Sequence, residues 1–136
     1  MIKPLKACYL LFQVLLSIFV FSNVFAQTKE QGIIPQPYKI VKGNGVFTFR
    51  GITAVALGDG VDVGNLTFFK QYLKAVSGAD LSVNNKMVNP AVNINIDSSG
   101  ITQKEGYRLS VTPKHISITG HDQAGVFYGL QSLIQL

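Results

Sequence analysis

Cysteine is almost absent from this chain, tryptophan is missing, and only two histidines and seven acidic residues occur in 136 positions. The single cysteine, Cys8, lies close to the amino terminus, so no disulfide and no thiolate metal site can support the remainder. His115 and His121 stand six apart and match no metal-ligand spacing such as His-Glu-x-x-His. No Gly-x-Ser-x-Gly elbow is present, and Gly58-Asp59-Gly60 is too short to cradle a phosphate and reads as a turn. The acids are Glu30, Asp59, Asp62, Asp80, Asp97, Glu105 and Asp122, with no two adjacent. Each suits a turn, a helix cap or a strand surface better than general acid–base work. The residues therefore assign no catalytic group, no cofactor-binding group and no metal ligand. Arginine is equally scarce (Arg50 and Arg108), and no basic patch is interleaved with aromatics, which argues against nucleic-acid binding.

The amino-terminal segment differs in kind from the rest. Lys3 and Lys6 precede an apolar run from Ala7 to Phe25, and Val24-Phe25-Ala26 closes it with a small-x-small site before polar Gln27. A charged head, an apolar middle and such a site describe a secretory signal peptide over residues 1–26. An uncleaved membrane anchor is the competing reading, and Gln13, Ser17, Ser22 and Asn23 interrupt the run against it. Cys8 sits at the wrong end of the run for a lipid anchor. Cleavage leaves residues 27–136, a cysteine-free domain with 10 basic against 7 acidic residues. The expected location is periplasmic or extracellular. A chain of about 110 residues buries roughly two thirds of its unfolded surface, enough for one apolar core.

Periodicity divides the exported part. Pro35 and Pro37 make Gln31–Tyr38 an extended lead-in. Strand signals follow at Tyr38–Val41, Val46–Arg50 and Thr53–Leu57, with Gly43-Asn44-Gly45 as a turn. From Asp62 to Ser77 the spacing of Leu66, Phe69, Tyr72/Leu73 and Val76 predicts an amphipathic helix. Asp62 is placed to cap its start and Gly78 to end it, with Lys70 and Lys74 on the wet side. Leu81–Val83 is a short strand, and Val92–Asp97, Gly106–Val111 and His115–Thr119 alternate apolar and polar residues. Thr112-Pro113-Lys114 makes the last two an antiparallel hairpin. A second helix is expected over Asp122–Leu136, capped by Asp122. Its Gly125 and Gly129 each cost up to about 1 kcal/mol relative to alanine, which implies close approach to the sheet or to another domain. The fold class read from these elements is α+β, a largely antiparallel sheet of about five to seven strands packed by two helices.

Three segments carry a family resemblance. Ile33-Ile34-Pro35-Gln36-Pro37 opens the domain, Glu105-Gly106-Tyr107-Arg108-Leu109 leads into the penultimate strand, and Ala124-Gly125-Val126-Phe127-Tyr128-Gly129-Leu130-Gln131-Ser132-Leu133-Ile134-Gln135-Leu136 closes the chain. In this order they resemble the N-terminal, non-catalytic domain of family-20 glycoside hydrolases, the β-N-acetylhexosaminidases. The family more often has threonine where Ser132 stands. The resemblance implies an α+β domain followed by a (β/α)8 barrel that removes terminal N-acetylhexosamine. In the family an Asp-Glu pair in that barrel assists attack by the substrate's own acetamido group. Nothing here matches that pair, so the expectation is a non-catalytic domain whose partner is the barrel, absent from this chain. The docking surface is expected on the helix Asp122–Leu136, with Gly125, Val126, Phe127, Gly129 and Leu130 in part exposed as an apolar patch. O-GlcNAcase-, hyaluronidase- and α-glucuronidase-type hydrolases carry similar domains and stay open as alternatives. So does a stand-alone glycan-binding or structural module, although the lack of tryptophan removes the usual flat aromatic platform.

Overall fold

Residues 32–136 are described by the computed structural model, so the signal-type segment 1–26 and Glu30 lie outside the described residues. Seven elements follow in order: β1 (Ile52–Leu57), α1 (Val63–Ser77), β2 (Asp80–Val83), β3 (Val92–Ile96), β4 (Tyr107–Val111), β5 (Ile116–Gly120) and α2 (Gln123–Ile134). The strands form one sheet in the order β2-β1-β3-β5-β4. The α+β reading and its two helices hold.

The direction of the sheet is a correction. β1 pairs in parallel with β2 and β3, and β3 pairs in parallel with β5; only β4 and β5 are antiparallel. The expectation of a largely antiparallel sheet came from alternation, which reports one wet face and nothing about direction. Here α1 returns the chain from the end of β1 to the start of β2, and such a crossover makes neighbours parallel. Both helices cover the same face, so a parallel sheet keeps the alternation usual for antiparallel ones. The Thr112-Pro113-Lys114 hairpin stands as expected, closed by the Thr112 amide donating to the His115 carbonyl at 2.9 Å.

Register sorts the side chains into rows. Val55, Val92 and Ile116 form one inward row, with Val83 and Val111 exposed at its two ends, and Leu57, Ile94, Ile118 and Leu109 form the next. Leu66, Phe69 and Leu73 of α1 and Val126 and Leu130 of α2 close over them. The opposite face carries Asn93, Ser117 and Ser110 in one row and Asn95, Thr119 and Arg108 in another.

Two expected strands are not strands. Tyr38–Val41 and Val46–Arg50 run outside the sheet. Their alternation instead seats Phe47 and Phe49 on the core, with ring centroids 4.9 Å apart and Phe49 at 5.9 Å from Phe69 of α1. Tyr38, Val41 and Val46 stay exposed. An alternating segment specifies which side chains to bury, whereas a ladder also requires a free strand edge beside it. This segment found an aromatic contact on a helix.

Both caps of α1 are where the sequence placed them. Asp62 accepts from the Gly64 amide at 2.8 Å, and Gly78 adopts φ 71° while its amide donates to the Lys74 carbonyl at 3.0 Å. Lys70 and Lys74 reach Asp80 at 3.1 and 3.7 Å, tying α1 to the start of β2. Tyr72 and Val76, expected on the apolar face, point outward at 38 % and 67 % exposure.

α2 lies on β4 and β5 at backbone distance. A methyl group on Gly125 would strike the Gly106 carbonyl oxygen and sit 3.2 Å from the Gly120 Cα. One on Gly120 would meet the Asp122 carbonyl oxygen at 2.7 Å, and one on Gly129 would reach Ile118 Cγ2 at 2.6 Å. The close approach inferred from Gly125 and Gly129 is therefore real, and its partner is the chain's own sheet. Beside it the hydroxyls of Tyr107 and the buried Ser132 lie 2.5 Å apart.

Gly125→Ala should reverse the usual helix preference. Alanine favours a helix by about 1 kcal/mol, but here it collides with fixed backbone, and a net loss of about 2 kcal/mol or more is expected in the urea unfolding midpoint. Ser132→Val should lose about 1–3 kcal/mol by stranding the Tyr107 hydroxyl, while Ser132→Thr stays close to the parent in the same measurement.

Candidate interdomain surface

Chemistry on this chain would have to come from its few titratable groups. Asp59 lies in the turn after β1, Asp62 caps α1, and Asp80 opens β2 against Lys70. Asp97 accepts from the Ser99 hydroxyl at 2.7 Å and the Gly100 amide at 2.8 Å, forming the turn after β3. Asp122 accepts from the Gly125 amide at 2.9 Å and, through its other oxygen, from the Glu105 amide at 3.1 Å. Hydrogen bonding to Lys70 holds the Asp80 carboxyl below the usual carboxylate value. The Ser99 hydroxyl does the same for Asp97, and the Gly125 amide for Asp122. In each case the leading cause is a donor that builds a cap, a turn or a helix-to-strand joint. Lowered values favour the charged form, the opposite of what a general acid requires.

The histidines are joints as well. His115 Nδ1 lies 2.9 Å from the Pro90 carbonyl and His121 Nδ1 2.5 Å from the Ile101 carbonyl. A carbonyl only accepts, so both rings donate from Nδ1. They flank the five residues of β5, which at about 3.3 Å per residue sets them roughly 20 Å apart along the strand. Among the described residues no group of three His, Cys, Asp or Glu is placed to hold a metal ion.

The three motif segments, scattered in sequence, meet at α2. Gly106 lies under Gly125, and Tyr107 bonds Ser132. Ile33 is buried, and the Gln135 amide grips the backbone of Ile34 from both sides: Oε1 accepts from its N–H at 2.8 Å, and Nε2 donates to its carbonyl at 3.1 Å. At the other end of α2, Gln123 Oε1 accepts from the Asp62 amide at 3.1 Å and Asn65 Nδ2 at 3.3 Å, and its Nε2 donates to the Gly60 carbonyl. These two glutamines clamp α2 to the lead-in and to α1. Periodicity gave no hint of them, because a glutamine at the end of a helix carries no pattern of its own.

Val126 and Leu130 lie in the core at 0 % and 1 % exposure, and Gly125 and Gly129 are buried too. The expected apolar patch on α2 is thus corrected: of its five residues only Phe127, at 38 %, is exposed. The larger unpartnered apolar surface is on α1, where Phe68, Tyr72 and Val76 recur every four residues at 48 %, 38 % and 67 % exposure. With Phe127 they put exposed aromatic and aliphatic groups on the helical layer. Tyr72 and Val76 were expected inside, and the helical spacing assigned Phe68 to no face. An outward stripe beside an inward one makes a helix apolar over more of its circumference than a single core contact explains.

Residues 30–136 match the family model of glycosyl hydrolase family 20, domain 2. Among solved structures, a β-N-acetylhexosaminidase from Bacteroides fragilis is 29% identical, with a TM-score of 0.60 over 77% of this chain and 21% of its own length. The Streptomyces plicatus N-acetyl-β-hexosaminidase is 26% identical, with a TM-score of 0.67 over 76% of this chain and 21% of its own. A family GH115 4-O-methyl-α-glucuronidase shares the fold alone, at 16% identity and a TM-score of 0.55 over 67% of this chain and 14% of its own. No curated protein matches the sequence. The chain spans about a fifth of the length of the two hexosaminidases it resembles. Its fold, its converging motif segments and the match over all the described residues agree: the chain belongs to glycosyl hydrolase family 20, domain 2.

Proposed function

We propose that this chain is the non-catalytic domain of an exported β-N-acetylhexosaminidase-like hydrolase, and that its helical layer is the seat of the catalytic barrel. The observation that carries the reading is the family match over residues 30–136 together with the joining of all three motif segments through α2. Support for a separate barrel comes from the acids: the described caps and turns hold Asp62, Asp80, Asp97 and Asp122 in local structure, away from any paired carboxyl arrangement. Support for the seat comes from the exposed stripe Phe68–Tyr72–Val76 and from Phe127, apolar groups on the layer opposite the polar sheet face. The barrel contact is thus moved from the glycine face of α2, where the sequence suggested it, to the outward faces of both helices. Export rests on the pattern of residues 1–26. The parent enzyme would remove terminal N-acetylhexosamine from glycans.

The shared fold of the α-glucuronidase keeps a related hydrolase as the second reading. The coding sequence after Leu136 separates the two: an Asp-Glu pair supports a hexosaminidase, and its absence a related hydrolase.

Assayed on a chromogenic N-acetylglucosaminide, this chain should show no turnover above buffer, whereas a product that includes the downstream barrel should be active; turnover by residues 27–136 alone would refute the reading. In size-exclusion chromatography with light scattering, residues 27–136 should self-associate at tens of micromolar, and Phe68→Ser/Tyr72→Ser/Val76→Ser should return them to monomer with an unchanged unfolding midpoint.

A further inference from the structure

The helical layer leaves one side of the sheet without apolar cover, and a shallow depression lies at its edge. Asn89, Pro90, Asn93, Lys114 and His115 line it where β3 and β5 begin. From these residues we infer that the depression is a binding site for a neutral, hydroxyl-rich saccharide. The choice of probe below rests on the proposed function; the site itself does not.

The lining chemistry selects the ligand class. His115 Nδ1 donates to the Pro90 carbonyl, which leaves Nε2 as the ring nitrogen available to a ligand, an acceptor in the neutral tautomer. The two asparagines each offer two donors and an acceptor, and Lys114 adds a cationic donor. Among the described residues, neither asparagine side chain nor the Lys114 ammonium has a hydrogen-bond or ion-pair partner. A simple anion only accepts and would leave the Asn carbonyls and the His nitrogen unmatched. A divalent cation finds no carboxylate here. A hydroxyl both donates and accepts, and a sugar presents several in close array, with a C–H face for the Pro90 ring.

The site is also held in place. Asn89 adopts φ 57°, a left-handed turn conformation that asparagine tolerates better than most non-glycine residues. The next residue is pinned by His115, and the Ile116 amide donates to the Ala91 carbonyl at 2.9 Å. Both walls are thereby fixed to the sheet before a ligand arrives. Asn93 lies opposite Ser117, and Ser117 opposite Ser110, so a polar row leads from the depression across β5 to β4. A second row, Asn95, Thr119 and Arg108, runs beside it. An extended saccharide can lie along these rows, on the face away from the proposed barrel seat. That placement suits holding a glycan near an enzyme without blocking its active site.

Titration of the isotope-labelled complete chain with the N-acetylglucosamine disaccharide, followed by heteronuclear NMR, tests the site. The expected result is saturable shift changes at Asn89, Asn93, Lys114, His115 and Ser117, including the asparagine side-chain amides. Asn93→Ala and Lys114→Ala should each weaken binding about fivefold to tenfold, and Lys104→Ala should leave it unchanged. Lys114 is exposed in a turn, so its variant keeps the test valid if Asn93→Ala fails to fold. No saturation, shifts confined to the helical layer, or binding unaffected by Lys114→Ala would overturn the inference. Shifts at the same residues with inorganic sulfate and none with the disaccharide would also overturn it, and would reassign the depression to anions. Absence of saccharide binding leaves the domain assignment standing, and an inactive parent enzyme leaves a positive titration standing.

Discussion

Everything that distinguishes this domain depends on two stretches of backbone touching without side chains between them. Gly125 on α2 and Gly120 at the end of β5 come within van der Waals range, over the carbonyl of Gly106. A helix packed on a sheet through ordinary side chains stands about 10 Å away; glycines let it descend. That descent carries Val126 and Leu130 into the core, brings Ser132 to Tyr107, and delivers Gln135 to the backbone of Ile34. The family's three sequence signatures are the three sides of this one contact. Each glycine weakens the helix by itself by about 1 kcal/mol, so they persist only where packing returns more.

Much of the architecture was legible in the chain because it rests on local chemistry. The caps at Asp62 and Asp122, the stop at Gly78 and the hairpin at Thr112-Pro113-Lys114 each follow from a side chain and the backbone groups within a few residues of it. Strand direction was not legible. Alternation in Val92–Ile96 names a wet face, while parallel pairing with β1 and β5 is decided by where α1 and the β4 hairpin return the chain. Phe47 and Phe49 alternate like a strand, yet what they obtain is a ring contact with Phe69. The glycines of α2 announced a close approach but not to what. Gln123 and Gln135, which clamp the helix at both ends, gave no periodic signal.

The sheet divides the molecule into two surfaces of unlike chemistry. On one side the helices turn Phe68, Tyr72, Val76 and Phe127 outward, apolar groups that water holds poorly. On the other, asparagine, serine, threonine and arginine cross three strands in register. A domain built only to fold has no need for both. The first suits a permanent protein neighbour, in keeping with the proposed barrel; the second suits a soluble polar ligand. Asp80, Asp97 and Asp122 serve neither surface: the Lys70 side chain, the Ser99 hydroxyl and the Gly125 amide hold them in a helix-to-strand joint, a turn and a cap, and favour their charged forms.

Native-state hydrogen exchange on residues 27–136 tests the central claim, that the glycine face of α2 is packed inside this domain and is not itself awaiting a partner. If the account is right, the amides of Val126, Gly129 and Leu130 exchange with the same opening free energy as those of Ile94 and Ile118, through global unfolding. If they exchange orders of magnitude faster than the strands, α2 is seated by something outside this chain and the account fails.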